Sequence, residues 1–395
     1  MTDPTAEGHR LLDFARASAD TSTGFLWLDD RGVPDPTRPV HTWVTTRMTH
    51  CFALAHLRGE PGAAELASHG VRSLTGPLRD TPYGGWHAAV APDGRPVDST
   101  KEAYGHAFVV LAATSAVVAG IDEADDLLAD ALAVVERHFL DDAGRVVDGF
   151  DRQLRYAEPY RGANSSMHMV EAFLAAGDVT GDADWHRRAL HIAEHLIHGV
   201  ARTFGYYLPE HYAADWVPLP DYNRDSPADQ FRPYGCTPGH LLEWSRLLLD
   251  LEASLTEPPG WLLEDARSLF AAAVTSGWHV DGEPGLVYTV DWDQQPVVRS
   301  RLHWVHAEAV AAAAALNRRT KEQCYADWQQ RFWGFIERFL IDPVGGSWHH
   351  ELDAHNVPSA QLWEGKPDIY HAYQATLLPT LELAPCASMQ LAGRV

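Results

Sequence analysis

Polar and aromatic side chains recur at equivalent places in six segments of the 395-residue sequence, where stretches rich in small residues begin. They are Arg47, Tyr104, His106, Asn164, His168, His240, Glu243, His303, Trp304, Glu308 and His371. Because histidine has an unperturbed pKa near 6.5, paired histidines can take and return a proton at neutral pH. Aromatic rings stack on the apolar face of a sugar, while Asn, Arg and Glu bind its hydroxyl groups. The pattern therefore predicts acid–base chemistry on a monosaccharide, of the kind that enolises an aldose.

Each of these residue types also has an ordinary structural role. Most of the 22 histidines are expected on the surface or in satisfied buried contacts. Four on one outer helix are assigned to that class: His186, His191, His195 and His198. Arg47 can serve as an ion-pair partner and Trp304 as plain core. Glu243 follows His240 by three positions on one helical face, so it can orient that imidazole, bind a hydroxyl or form a salt bridge. His240 and His371 are stronger candidates, because each opens a helix at an equivalent place.

The elements that position these residues form an internal repeat. Glycine-led, aromatic-rich hairpin-like segments begin at Gly24, Gly84, Gly144, Gly205, Gly285 and Gly345. Their spacings are 60, 60, 61, 80 and 60 residues, and the longer interval matches a loop insertion through 221–233. An amphipathic, charged stretch such as 123–140 precedes each segment and is typical of an outer helix. A stretch of small residues such as 102–120 follows and is typical of an inner helix.

Six such units predict twelve helices that stack in pairs and close into a ring. The predicted fold is all-α: an (α/α)6 barrel of six outer and inner helix pairs with short β-hairpin-like connections, with residues 1–395 as one catalytic domain. An open helical solenoid is the alternative, but such an array needs polar capping repeats that the sequence lacks. In the ring, the starts of the inner helices face a common pocket.

Composition excludes several classes of partner. The 31 Lys+Arg against 54 Asp+Glu give a net charge of −23, which disfavours nucleic acid, and no segment is basic and amphipathic enough for a membrane surface. Met1 to Arg10 show no secretory signal, so a cytoplasmic protein is expected. Four cysteines without a CxxC pair indicate neither disulfides nor a thiolate metal site. The sequence leaves open whether the chain forms a homo-oligomer.

Three rival functions follow from the same residues. The segment 349–355 (HHELDAH) is dense in metal-ligand types, but it is not HExxH and lies in a hairpin, so no metal site is expected. No GxxxxGK[ST] or GxGxxG motif is found, and no cofactor is expected. A glycoside hydrolase needs two carboxylates beside the scissile bond, for which Glu243 and Glu308 are the evident pair. A non-catalytic sugar-binding or protein-interaction module is the third rival.

Five motifs together resemble the N-acylglucosamine 2-epimerase superfamily of (α/α)6 barrels, and within it the D-mannose isomerase branch, which is similar to sulfoquinovose isomerases. They are TTRMTH, NSSMHMVEAFL, YGCTPGHLLEWSRLLL, RLHWVHAEA and KPDIYHAYQA, and the resemblance runs from Gly24 to Leu378. It implies His240 and His371 as the catalytic histidines. It implies as substrate-binding residues Arg47, Tyr104, Asn164, His168 and Glu243 and, less securely, Trp304 and Glu308.

The implied activity is metal-independent interconversion of D-mannose and D-fructose, or of D-lyxose and D-xylulose, through a cis-enediol. We expect His371 to carry the proton between C2 and C1 and His240 to act in ring opening, although the opposite allocation stays open. Sugar 2-epimerisation of the mannose or cellobiose type and sulfoquinovose isomerisation are the alternatives. Isomerase and epimerase differ in where the second histidine stands relative to C1 and C2, which spacing does not reveal.

Overall fold

The computed structural model describes residues 3–19 and 21–393, which are mostly helical. Thirteen α-helices lie in this part of the chain: α1 Pro4–Ala15, α2 Thr42–Leu57, α3 Ala63–Thr75, α4 Ala103–Val118, α5 Ala124–His138, α6 Ala163–Thr180, α7 Ala183–Ala193, α8 Pro238–Ser254, α9 Trp261–Gly277, α10 His303–Thr320, α11 Gln323–Phe335, α12 Tyr370–Leu377 and α13 Ala387–Leu391. Helix α7 continues as a π-helix over Glu194–Ala201, and α11 does so over Ile336–Leu340. Every helix of the described residues is too short or too polar to cross a membrane.

The strands are two or three residues long, as expected for hairpin-like connections. They are β1 Trp27–Leu28, β2 Pro34–Asp35, β3 Val40–His41, β4 Ala89–Val90, β5 Pro96–Asp98, β6 Lys101–Glu102, β7 Gly149–Phe150, β8 Tyr160–Gly162, β9 His211–Ala213, β10 Arg301–Leu302 and β11 Glu351–Leu352. Antiparallel pairs form between β1 and β2, β3 and β4, β4 and β5, β6 and β7, and β10 and β11. Four of the strands, β3, β6, β8 and β10, end directly at the helix that follows them.

The helices group into two compact units. The N-terminal unit comprises the described residues of 12–192, 367–370 and 385–393, and in it α2 and α4 pack together, with α3 on α2 and with α5 and α6 on α4. The C-terminal unit comprises 3–11, 193–366 and 371–384, and in it α8 packs on α9 and α10, and α10 on α11. Helices α4 and α10 are buried on nearly all sides, whereas α3 and α5 bury one face. This is the predicted contrast between inner and outer helices.

An aspartate builds the turn of several hairpins. In four of them one Oδ1 accepts the backbone N–H of the residues two and four positions later, at 2.8–3.0 Å: Asp29, Asp141, Asp291 and Asp353. The residue three positions after each aspartate has a positive φ, and Gly occupies it in two of the four turns. Asp and Asn side chains favour such turns because they replace backbone hydrogen bonds. At Asp353, the bond from the Val357 amide is the largest cause of a lowered pKa.

The fourth residue of three inner helices ties the helix to its own hairpin. Thr45, His106 and His306 each accept the backbone N–H of the residue 20 positions earlier. Each imidazole also donates through Nδ1 to the backbone carbonyl four residues earlier, that of Glu102 for His106 and that of Leu302 for His306. Burial lowers the pKa of both histidines to about 3. His106, expected among the pocket residues, is therefore a neutral anchor of the fold with both ring nitrogens bonded to backbone.

A buried cation precedes three inner helices and pairs with a carboxylate from the loop after an outer helix. Lys101 donates to Asp80 at 2.8 Å, and Lys366 donates to Asp342 at 2.7 Å. Arg301 forms the third pair, with Asp281. All three cations are fully buried. Burial raises the pKa of Asp80, but hydrogen bonds from Arg152 and Lys101 lower it more, to about 2. A buried charge is tolerated only when it is paired, so these bridges fix where the inner helices begin.

Removing one partner of such a bridge should destabilise the fold strongly. We expect Asp80→Ala to lower the free energy of unfolding by about 3–5 kcal/mol, because it leaves the Lys101 ammonium buried without its counter-charge. Urea unfolding at pH 7 measures this loss. The matched control is Asp130→Ala, which removes a partly exposed carboxylate from Arg79 and should cost at most about 1 kcal/mol. Equal losses in the two variants would contradict the role given to the buried pair.

Candidate active site

The predicted site residues fall into two sets, one in each unit. Arg47, Tyr104, Asn164 and His168 belong to the N-terminal unit. His240, Glu243, Trp304, Glu308 and His371 belong to the C-terminal unit. In both sets the residues lie in the first or second turn of an inner helix, as the repeat predicted.

The two candidate catalytic histidines share one kind of support. His240 is the third residue of α8, and its Nδ1 lies 2.9 Å from Oε2 of Glu210. His371 is the second residue of α12, and its Nδ1 lies 2.9 Å from Oε1 of Glu308, on α10. Both imidazoles and both carboxylates are buried. With Nδ1–H donated to a carboxylate, a neutral imidazole carries its lone pair on Nε2, which is the arrangement a general base requires.

Trp304 lies beside both histidines. Its ring centroid is 5.0 Å from that of His240 and 5.9 Å from that of His371. Gly239 makes room for this ring, because a Cβ atom at that position would lie 2.5 Å from Cζ3 of Trp304. The TPGH sequence thus combines a helix start with a residue small enough for the indole to approach. An indole face between two imidazoles suits the apolar face of a sugar.

Arg246 holds the carboxylates of this set. Its Nε is 3.3 Å from Oε2 of Glu308, and its terminal nitrogens are 3.7 Å from Glu243 and 3.2 Å from Asp250. Glu243 forms a salt bridge with Arg246, which is one of the three roles considered for it. The carboxylate that accepts the hydrogen bond from Nδ1 of His240 is instead Glu210. Arg246 therefore compensates the charge on the glutamate that supports His371.

In the N-terminal unit, Arg47 is surrounded by aromatic rings. One terminal nitrogen donates to the Tyr104 hydroxyl at 2.6 Å and the other to Asp368 at 3.3 Å. The guanidinium carbon lies 4.5 Å from the ring centroid of Phe108 and 5.0 Å from that of Tyr370. Only 5% of Arg47 is exposed. A planar cation held in this way is fixed in orientation, which an ammonium could not match.

His168 forms a third contact between histidine and glutamate. Its Nδ1 lies 3.3 Å from Oε2 of Glu171, which also accepts the Tyr370 hydroxyl at 2.6 Å. The His168 ring packs against Phe108 and Tyr104. Asn164 is half-buried, and its amide oxygen has no hydrogen-bond partner among residues 3–19 and 21–393. A buried acceptor of this kind suits a sugar hydroxyl.

Three functional candidates were missed in the sequence: Glu171, Glu210 and Asp368. Glu171 and Asp368 lie within quoted motifs, three positions after His168 and three before His371, and helical spacing alone indicates the Glu171 contact. Glu210 precedes His240 by 30 residues, across the longest insertion, and no spacing rule connects them. The tertiary fold alone brings that pair together.

The metal-ligand types of segment 349–355 have other partners. Oε2 of Glu351 accepts the backbone N–H of Leu362 and Trp363, and the His350 ring stacks on His303 at 3.8 Å. Asp353 caps its own turn, and His355 is exposed. These side chains support a loop and a turn.

Comparison with known proteins gives consistent matches over nearly the whole chain. The sequence is 54% identical to a D-mannose isomerase from Thermobifida fusca, covering 98% of this chain and 96% of that protein. It is 54% identical to a D-mannose isomerase from Pseudomonas cannabina pv. alisalensis, covering 98% and 94%. A crystal structure of D-mannose isomerase superposes with a TM-score of 0.88 at 30% identity, covering 95% of this chain and 96% of that one. The mostly helical fold matches the (α/α)6 barrel type, which confirms the predicted fold class.

The sequence profile of the N-acylglucosamine 2-epimerase (GlcNAc 2-epimerase) family matches residues 24–375. That range contains all nine predicted site residues together with Glu171, Glu210 and Asp368. The repeats in the sequence and the hydrogen bonds between the site histidines and their glutamates agree with this match. The chain belongs to the N-acylglucosamine 2-epimerase family.

Proposed function

We propose that this chain is an aldose–ketose isomerase that interconverts D-mannose and D-fructose by metal-independent proton transfer. The observation that carries the proposal is the pair His240 and His371, placed beside Trp304 with Nδ1 on a buried glutamate, in a chain 54% identical to D-mannose isomerases. Proton transfer next to a carbonyl needs groups that are both basic and acidic near neutral pH, and imidazole is such a group.

In this mechanism mannose binds as the pyranose. Nε2 of His240 takes the proton of the anomeric hydroxyl and returns it to the ring oxygen, which opens the ring to the aldehyde. His371 then removes the proton at C2, a proton passes from O2 to O1 within the cis-enediol intermediate, and return of the first proton to C1 gives fructose. Each imidazole gains and loses one proton, so the protein is unchanged after a turnover.

We assign Arg47 to the negative charge that grows on O1 as the C2 proton leaves. A fixed cation aimed at developing charge stabilises the transition state more than the substrate. The proposed hydroxyl-binding residues are Tyr104, Asn164, His168, Glu243, Trp304 and Glu308, and Glu308 also orients His371. We include in the proposal that residues 1–395 act as one catalytic domain, in the cytoplasm, on free monosaccharide.

The first test is conversion of D-mannose by purified protein treated with EDTA. We expect fructose as the product, at an unchanged rate when divalent metal is left out, because proton transfer is assigned to imidazoles. Chromatography that separates fructose, glucose and mannose measures the outcome. Glucose as main product would indicate a 2-epimerase instead, and absence of both products would contradict the proposed substrate.

The assignment of His371 predicts a loss confined to the chemical step. We expect His371→Asn to lower kcat for mannose by about 1000-fold, because general base catalysis contributes on the order of 10²–10⁴. Exchange of the C2 hydrogen in D2O, followed by NMR, should fall in parallel. The control His355→Asn changes an exposed histidine of the 349–355 segment and should retain kcat within about twofold. Near-normal turnover of His371→Asn would refute the assignment.

Replacement of the arginine by lysine tests the planar contact at Arg47. We expect Arg47→Lys to lower kcat/KM about 100-fold, because an ammonium cannot span Tyr104 and Asp368 while lying over Phe108. Arg145→Lys is the control, since Arg145 pairs with the turn carboxylate Asp141 at 3.0 Å and lies outside the predicted site. Steady-state kinetics with mannose measures both variants, and equal values of kcat/KM would show that charge alone suffices.

A further inference from the structure

The glutamates behind the two candidate catalytic histidines differ in their surroundings. Glu308 is shared, because one oxygen meets Nδ1 of His371 and the other meets Nε of Arg246. The Glu210 carboxylate has a single hydrogen bond within the described part of the chain, which Oε2 accepts from Nδ1 of His240. Its Oε1 is buried and has no hydrogen-bond partner among those residues. The Glu210 carboxylate is therefore dedicated to one imidazole.

The insertion of the fourth repeat holds Glu210 in place. Glu210 is 4% exposed and directly precedes β9. The next residue, His211, bonds the carbonyl of Pro233 through Nε2 at 2.7 Å, and its ring lies 4.5 Å from that of Tyr222. The backbone N–H of Leu219 donates to the carbonyl of His211. The insertion thus folds back on the strand that directly follows Glu210, which supports the backbone from which the carboxylate extends.

Three contacts then define the orientation of His240. Its backbone belongs to the first turn of α8, one ring face meets Trp304, and Nδ1 meets Glu210. A carboxylate accepts hydrogen bonds only, so Nδ1 must carry hydrogen whenever the contact exists. A neutral His240 then has its lone pair on Nε2.

We propose that Glu210 is a positioning residue for His240, which holds the imidazole in the Nδ1–H tautomer so that Nε2 exchanges the proton with the sugar. This inference rests on the proposed function. When Nε2 takes a proton the ring becomes imidazolium, and it becomes neutral again when Nε2 returns that proton. Glu210 stays a carboxylate throughout and touches no substrate. In this proposal, the insertion of the fourth repeat supports a proton-transferring residue.

The kinetic test compares Glu210→Gln and Glu210→Leu with the parent. Gln retains an acceptor oxygen of the same reach without the charge, whereas Leu removes the acceptor. We expect kcat for mannose to fall about 10-fold in Glu210→Gln and about 100-fold in Glu210→Leu, with KM within twofold. Asp265→Asn is the matched control, because Asp265 also bonds a histidine Nδ1 at 2.9 Å, that of His198, outside the predicted site. It should leave kcat unchanged.

The tautomer is measured separately by ¹⁵N NMR of histidine-labelled protein, with the His240 signals assigned by their loss in His240→Asn. We expect protonated Nδ1 and unprotonated Nε2 in the parent and in Glu210→Gln, and a mixture of tautomers in Glu210→Leu. An unchanged tautomer in Glu210→Leu, or kcat within twofold of the parent, would overturn the proposal. If the parent does not convert mannose, the proposed function fails, while the NMR result still decides whether Glu210 sets the tautomer.

Discussion

The desolvation of polar groups at the starts of the inner helices is the constraint on which the structure depends. Helices such as α4 and α10 are enclosed nearly all round, so a charged or hydrogen-bonding side chain there must find a partner within the protein. The hairpins supply those partners: Asp80 and Asp342 meet buried lysines, and backbone amides meet His106 and His306. The same constraint acts on the site histidines, whose partners are buried glutamates.

The two kinds of buried histidine differ in what their nitrogens meet. His306 has backbone on both sides, a carbonyl at Nδ1 and an amide N–H at Nε2, and this leaves it no capacity for chemistry. His240 and His371 meet a carboxylate at Nδ1. A carboxylate stabilises the imidazolium that forms when a proton is taken up, whereas a backbone carbonyl does so less well. The chemical group that meets Nδ1, more than burial of the ring, distinguishes the histidines that anchor the fold from the candidates for proton transfer.

The sequence was sufficient to predict the fold class and the helix starts on which the site residues lie. Its periodicity is strong because one hairpin and one pair of helices recur with nearly constant length. It did not separate His106 from the site residues, because position in the repeat is the same for an anchor and a ligand-binding residue. Nor did it indicate Glu210, whose link to His240 crosses an insertion of irregular length. Local spacing predicts contacts within one helix, such as His168 with Glu171, but not contacts made by chain folding.

The anchoring histidines also set how the protein responds to acid. In the unfolded chain His106 and His306 take up protons near pH 6.5, whereas burial lowers their pKa in the fold to about 3. Between these values the unfolded state binds more protons, so stability falls as pH falls, by about 1.4 kcal/mol per pH unit for each imidazole. Two residues that anchor the fold thereby give the protein an acid limit: mildly acidic storage or an acidified compartment erodes the fold itself, whatever the ionisation of the groups that handle the sugar.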